Sequence, residues 1–373
     1  MARAELRCRQ GPLRYGELDG MRCGHRRRHE RFAHALGIET IASFSKKGER
    51  NEMKTLFNTT TCFEDTDRYT DEADFREFSK DFDGAEVMEY GSDERGIIPA
   101  DLIVGVHLGY YITWYDFWRG DEKGMIEEYG SLEEAYAQMR GSDPHIIVDR
   151  FKHDMEFAHK MGAEYVVFHV SESGLFENYT FNYKHTDEEI VDAAAEILNE
   201  VFADEDGSIA LLMENQWQSG LTFTRPEIAK RLLDGVKYPN KGFMLDTGHL
   251  MHTNFDLATQ AEALDYVNEV LDRNEDIIPY IRGVHFHQSL TGEYCKQTQA
   301  NPPVLPESYT DRYWQSFGHA FKVDGHQPWC TPGIGKLVSR IDPEYLVWEF
   351  ISGTREEHQH LIDMQREAFV NEL

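Results

Sequence analysis

From Met53 onward, short runs rich in β-branched and aromatic residues alternate with longer stretches whose apolar residues recur at i, i+3 and i+4. The short runs predict eight strands, at residues 55–61, 85–90, 102–107, 165–170, 209–214, 242–246, 283–287 and 345–350. The longer stretches predict helices, among them 146–161, 187–202, 227–233 and 257–271. Thr186 with Glu189, and Thr224 with Glu227, have capping-box spacing, in which a hydroxyl and a carboxylate satisfy the unpaired N–H groups of a helix start. Eight strand–helix units in about 320 residues, joined by right-handed crossovers, predict a single-domain (β/α)8 barrel over residues 53–373. A doubly wound sheet is the alternative, but no Gly-x-Gly-x-x-Gly follows a first strand. Between His287 and the eighth strand lie about 57 residues, including an irregular proline-containing section at 299–308, against a usual loop of about 4–6. That connection is expected to form a lid or a wall of the site.

In such a barrel the chemistry sits where strands finish. The strand ends here carry His107, His169, Glu214, Asp246 with His249 one turn on, His285 and His287, and Glu349. Each interrupts an apolar run, where an unpaired buried charge costs several kcal/mol. One such residue is usually just a satisfied polar group, but six consecutive strands ending this way point to a shared divalent metal. Mixed carboxylate and imidazole donors without thiolate suit Zn²⁺, Mn²⁺ or related ions. His285 and His287 both face inward by the period of two, and either could be the primary ligand.

Composition narrows the partners. With 40% hydrophobic and 12% aromatic residues, the body can fill a core. The chain has 38 basic and 67 acidic side chains, a net charge of −29. Residues 1–52 hold 12 basic and 7 acidic groups, including Arg26-Arg27-Arg28, so the rest carries −34. That first segment lacks the apolar stretch of a secretory signal and is expected to be a disordered basic extension. Lys47-Gly48-Glu49-Arg50 can be encoded by a purine-rich tract resembling a ribosome-binding site, which points to Met53 as the natural start. The five cysteines, Cys8, Cys23, Cys62, Cys295 and Cys330, form no Cys-x-x-Cys, so neither a disulfide framework nor a zinc knuckle is signalled and a reducing cytoplasm fits. The most apolar window, 97–118, is broken by Asp101, His107 and Asp116, so no membrane span is expected. A body this acidic repels polyanions, which weighs against nucleic acid.

The segments Leu211-Leu-Met-Glu-Asn215, Phe243-Met-Leu-Asp-Thr-Gly-His249, Val284-His-Phe-His287 and Val347-Trp-Glu-Phe350 resemble the xylose isomerase-like barrel superfamily. That superfamily includes sugar isomerases and epimerases and endonuclease IV-type abasic-site (family 2) nucleases. In its epimerase branch the resemblance implies Glu214, Asp246, His287 and Glu349 as ligands of one metal, with His249 facing the substrate. For the nuclease branch it implies further ligands. His107 and His169 match the third- and fourth-strand histidines, and Val323-Asp-Gly-His326 followed by Gly333-Ile-Gly335 resembles an Asp-x-His element. The Asn-Asp expected after the seventh-strand histidine is replaced by Gln288-Ser289, and Asp324-Gly325 is also a common turn pair.

Two chemistries follow. In an isomerase or epimerase, one of Mn, Zn, Mg or Co would chelate two sugar oxygens while Glu214 and Glu349 move the proton. In a phosphodiesterase, up to three clustered zincs would activate water. Six aromatic residues lie within 110–118, of which Tyr111, Trp114 and Trp118, with His107, His169 and His249, are expected to bind substrate. Acids outnumber cations around them, which favours a neutral carbohydrate or polyol. The expectation is a cytoplasmic metal-dependent sugar isomerase or epimerase, with homo-oligomeric assembly left open. The alternatives are an endonuclease IV-like enzyme and a metal-binding barrel without catalysis. One ion would favour the sugar enzyme, and three bridged through Glu214 the nuclease.

Overall fold

A computed structural model describes residues 53–370. The basic first segment, its expected disorder and the proposed start at Met53 turn on residues 1–52, outside that range. Eight parallel strands, β1 Lys54–Thr60, β2 Gly84–Met88, β3 Ile103–His107, β4 Tyr165–His169, β5 Ala210–Glu214, β6 Lys241–Asp246, β7 Ile281–His285 and β8 Tyr345–Trp348, close into a barrel. The order around it is β1-β8-β7-β6-β5-β4-β3-β2, sealed where Leu56 of β1 pairs with Val347 of β8. The expected fold class is therefore the observed one. Alternation sorts the side chains. Leu56, Val104, Tyr165, Val167, Ala210, Leu212, Met244, Tyr345 and Val347 fill the barrel interior, and a larger apolar layer lies between strands and helices. Continuing the inward period past those residues gives His169, Glu214, Asp246, His285 and Glu349, all at one end of the barrel.

Helix Asp187–Val201 shows the local logic. Thr186 and Glu189 form the expected capping box, and Ile190, Val191, Ala194, Ile197, Leu198 and Val201 are buried along one face. Burial of the larger of these side chains is worth about 1.5–3 kcal/mol each. The second expected box is not formed. Arg225 is the N-cap of helix Pro226–Gly235, Thr224 bonds to the Thr222 hydroxyl at 2.8 Å, and Glu227 pairs with Arg225 at 3.0 Å. Proline at the first position, which has no N–H to satisfy, starts this helix instead. A box with the same spacing, Thr259 with Glu262, starts helix Gln260–Arg273. Strand seven ends at His285, two residues before its expected limit, and strand eight at Trp348.

The long connection after β7 is mostly helical, with Gly292–Ala300, Tyr309–Val323 and Ile334–Ile341. Tyr309–Val323 packs against the short helix Glu177–Thr180, where His319 stacks on Tyr179 at 4.0 Å. The connection is thus a wall that ends in Asp324 and His326 at the site. No helix of the described residues is long and apolar enough to cross a membrane.

Helix Arg355–Val370 buries His358 among Phe57, Phe78 and Phe350, with ring centroids 5.2–6.3 Å apart. Burial, helped by Arg68, pushes its pKa down to about 3. The unfolded chain binds a proton below about 6.5 that the fold refuses, so stability falls with pH from there toward 3. His358→Phe is expected to remove about 2 kcal/mol of the loss between pH 7 and pH 5, read from denaturant unfolding at both pH values. An unchanged slope would mean that the ring is protonated in the fold.

Candidate metal centre

Glu214, at the end of β5, is fully buried and ringed on both oxygens. Its Oε2 lies 3.2 Å from His107 Nε2 and 3.2 Å from His169 Nε2. Its Oε1 lies 3.1 Å from His249 Nδ1 and 3.3 Å from His285 Nδ1, and accepts from the Gln216 amide at 3.3 Å. His107 Nδ1 is 2.8 Å from the Leu108 carbonyl, an acceptor, so that nitrogen carries the hydrogen. In a neutral ring, Nε2 then turns a lone pair toward a carboxylate, which is repulsive unless a proton or a cation sits between them.

His285 presents the same problem more sharply. Its Nε2 donates to Glu86 Oε1 at 3.0 Å. Its Nδ1 has no hydrogen-bond partner, yet faces Glu349 Oε2 at 3.2 Å, Glu214 Oε1 at 3.3 Å and Asp246 Oδ2 at 3.7 Å. A buried imidazole nitrogen surrounded by three carboxylates needs a proton or a cation at its centre, and this group could hold a divalent ion.

Asp246 is set by two devices. Asn215 grips its backbone, donating to the Asp246 carbonyl at 3.0 Å and accepting from its N–H at 2.8 Å. Its Oδ1 accepts from the His249 N–H at 2.7 Å, capping the turn Thr247–Met251, while Oδ2 meets His287 Nε2 at 2.9 Å. Gly248 is required between them, because a Cβ there would lie 2.1 Å from the His287 ring. This is the physical content of the Asp-Thr-Gly-His run.

A third group comes from the wall. Asp324 Oδ2 lies 3.0 Å from His249 Nε2 and 3.2 Å from His326 Nδ1, and its Oδ1 accepts from Ser289 at 2.8 Å. His326 stacks on His287 at 4.1 Å. Four donor sets could therefore hold an ion: His107, His169 and Glu214; Glu214, Asp246 and His285; Asp246, His287 and Glu349; and His249, His287, Asp324 and His326. The site takes in both His285 and His287. His285 sits between the carboxylates of β5, β6 and the β8 end, and His287 reaches toward the wall.

Electrostatics agree with a site built around positive charge. Burial alone would raise the pKa of Glu214, Asp246, Asp324 and Glu349, but the facing imidazoles outweigh it and hold all four below the usual range. Burial opposes charge on His249 and His285, yet Asp246 and Asp324 for the first, and Glu349 and Glu86 for the second, raise both well above normal. His326, likewise opposed by burial and favoured by Asp324, is raised to about 9. Without metal, protons on imidazoles balance the carboxylates. With metal, cations replace those protons.

Residues 101–319 match the profile of the xylose isomerase-like TIM barrel. The chain belongs to the xylose isomerase-like TIM barrel family. Comparison with curated proteins gave no match. Among solved structures, the chain is similar to endonuclease IV from Thermus thermophilus, at 15% identity over 86% of this chain and 100% of that one, with a TM-score of 0.45. It is also similar to the probable 3-DHS dehydratase AsbF from Bacillus anthracis, at 13% identity, 86% and 100% coverage and a TM-score of 0.45. A third is a D-psicose 3-epimerase in the presence of D-fructose, at 15% identity, 86% and 98% coverage and a TM-score of 0.41. These likenesses assign no reaction.

In this xylose isomerase-like barrel, Tyr111 and Trp114 line a small cavity with Tyr110 and His169. Trp114 is buried and donates to the Ser171 carbonyl at 2.8 Å, Tyr111 packs on Phe151, and Trp118 donates to Glu196 at 2.9 Å. Tyr110, stacked 5.1 Å from His169, and Trp217, 5.1 Å from His249, also flank the ligand groups. Nearby cations are engaged: Lys184 with Asp116 at 3.1 Å, Arg119 with Glu196 at 2.6 Å and Lys296 with Asp256 at 2.6 Å.

Proposed function

We propose that the chain is a divalent-metal-dependent hydrolase of a small phosphoester, with Glu214 among the residues that would hold its ions. The observation that carries this reading is the enclosure of Glu214. Both of its oxygens are directed at imidazoles on either side, which suits a bridging ligand and leaves neither free to shuttle a proton. Charge points the same way. Glu214, Asp246, Asp324 and Glu349 together carry −4, so one divalent ion leaves the site negative and three make it positive, able to draw in a phosphate. With Lys184, Arg119 and Lys296 already paired with carboxylates, a small substrate suits the chain better than a long polyanion.

Ions held by these groups would polarise a phosphoryl oxygen and make water nucleophilic near neutral pH. The protein supplies the rest. Glu349 is the most exposed of the four carboxylates, with a side chain 15% exposed, so it is the one placed to take a proton from entering water. Tyr110 and Trp217 offer faces to the apolar part of a substrate.

The test is metal analysis of purified protein beside turnover of bis(p-nitrophenyl) phosphate, abasic DNA and a free-sugar panel. Two or more ions per chain with phosphoester turnover is the expected result. One ion with sugar turnover would instead establish the isomerase or epimerase reading. Bound ions with no turnover on any panel would leave a metal-binding barrel.

A further inference from the structure

Glu86 is the one ionisable side chain on β2 that points into the barrel beneath the ligand groups, and it is 2% exposed. Both of its oxygens are used. Oε1 takes the hydrogen of His285 Nε2 at 3.0 Å, and Oε2 takes that of the Tyr165 hydroxyl at 2.8 Å. Tyr165 is itself held. Its ring occupies the space a side chain at Gly105 would need, since a Cβ there would lie 2.2 Å from it, and it packs on Tyr345 at 4.2 Å. Gly105, Tyr165, Glu86 and His285 therefore form a stack rising through the barrel, each fixing the next.

We infer that Glu86 is a positioning residue that makes His285 a metal ligand through Nδ1. An imidazole that binds a divalent ion must be neutral, with its one hydrogen on the other nitrogen. Glu86 claims that hydrogen at Nε2, so Nδ1 presents its lone pair to Glu214, Asp246 and Glu349. A carboxylate behind the ring also makes the ligating nitrogen more basic. Burying a carboxylate in a barrel core is costly unless it is fully bonded, and these two bonds are what make Glu86 tolerable there. The inference rests on the metal-site half of the proposed function and is independent of which reaction follows.

The test is Zn²⁺ binding by calorimetry and metal analysis on the full chain, together with long-range ¹H–¹⁵N spectra of the Zn²⁺-loaded protein. In the wild type the retained His285 hydrogen is expected on Nε2. Glu86→Leu is expected to weaken one ion position by roughly 10- to 100-fold and to disturb that assignment. Glu86→Gln, which keeps an acceptor of the same shape, should restore the Nε2 hydrogen and part of the affinity. Tyr165→Phe, which removes only the hydroxyl, should have a smaller effect of the same sign. If Glu86→Leu does not fold, the Gln and Phe variants decide alone. Unchanged affinity together with an unchanged tautomer in the folded variants overturns the role of Glu86. A wild type that binds no Zn²⁺ overturns the metal site itself, so the two failures are told apart.

Discussion

Glu214→Ala is expected to lose two ion positions at once and with them all measurable turnover. The carboxylate belongs to two donor sets, with His107 and His169 on one side and with Asp246 and His285 on the other. Removing one partner from a buried charged cluster costs about 3–5 kcal/mol, and each 1.4 kcal/mol is tenfold. Ion affinity should therefore fall by roughly 10²- to 10⁴-fold at both positions. Metal analysis after gel filtration reads this directly. Glu349→Gln is the informative contrast, because it keeps size and one acceptor: most ion content should persist while turnover drops. If Glu214→Ala retains the wild-type ion number, Glu214 is no bridge, and a single-ion chemistry built on Asp246, His285 and Glu349 becomes the better reading.

Chelation is expected to destabilise the protein strongly, and more so at pH 9 than at pH 6.5. An ion at a free concentration 1,000 times its Kd adds about 4 kcal/mol of stability, and each kcal/mol is worth about 2–4 °C in a domain somewhat smaller than this one. The pH dependence follows from His326. Its pKa is raised to about 9 in the metal-free fold. Such a group stabilises the fold fully below its unfolded value near 6.5, and that contribution disappears as pH rises through 9. In the loaded protein the ligating imidazoles are already neutral, and the loss is absent. Melting curves with and without EDTA across this range should therefore diverge as pH increases. Coinciding curves that both fall as pH rises would show that protons, not ions, hold the cluster together.

Much of the barrel was legible because strand and helix periods differ and because β-branched runs are short. The inward period also predicted which strand-end residues would gather, since an apolar strand that finishes in Glu, Asp or His advertises the exception. What was not legible had local causes. Glu86 sits two residues from the start of its strand, so attention to strand ends passes over it. The strand expected to run through His287 stops at His285, and beyond it the Thr247 hydroxyl donates to the His287 carbonyl at 2.6 Å. Trp114 and Trp118 follow a strand end, and no periodicity foretells that their indole N–H groups find the Ser171 carbonyl and Glu196. Proline at 226 displaced the cap that the spacing of Thr224 offered. Asp324 and His326 were visible only as a motif, because no periodicity places a residue from a long connection.

That last pair carries a mechanical consequence. His249 rides on the barrel, while Asp324, 75 positions further along, rides on the wall. An ion gripping both would be a cross-link between two distant points of the chain, closed by coordination and opened by a chelator where a disulfide would need a reductant. The reagent would then also be the fastener, and stripping it would leave the 3.0 Å His249–Asp324 hydrogen bond to join the two points.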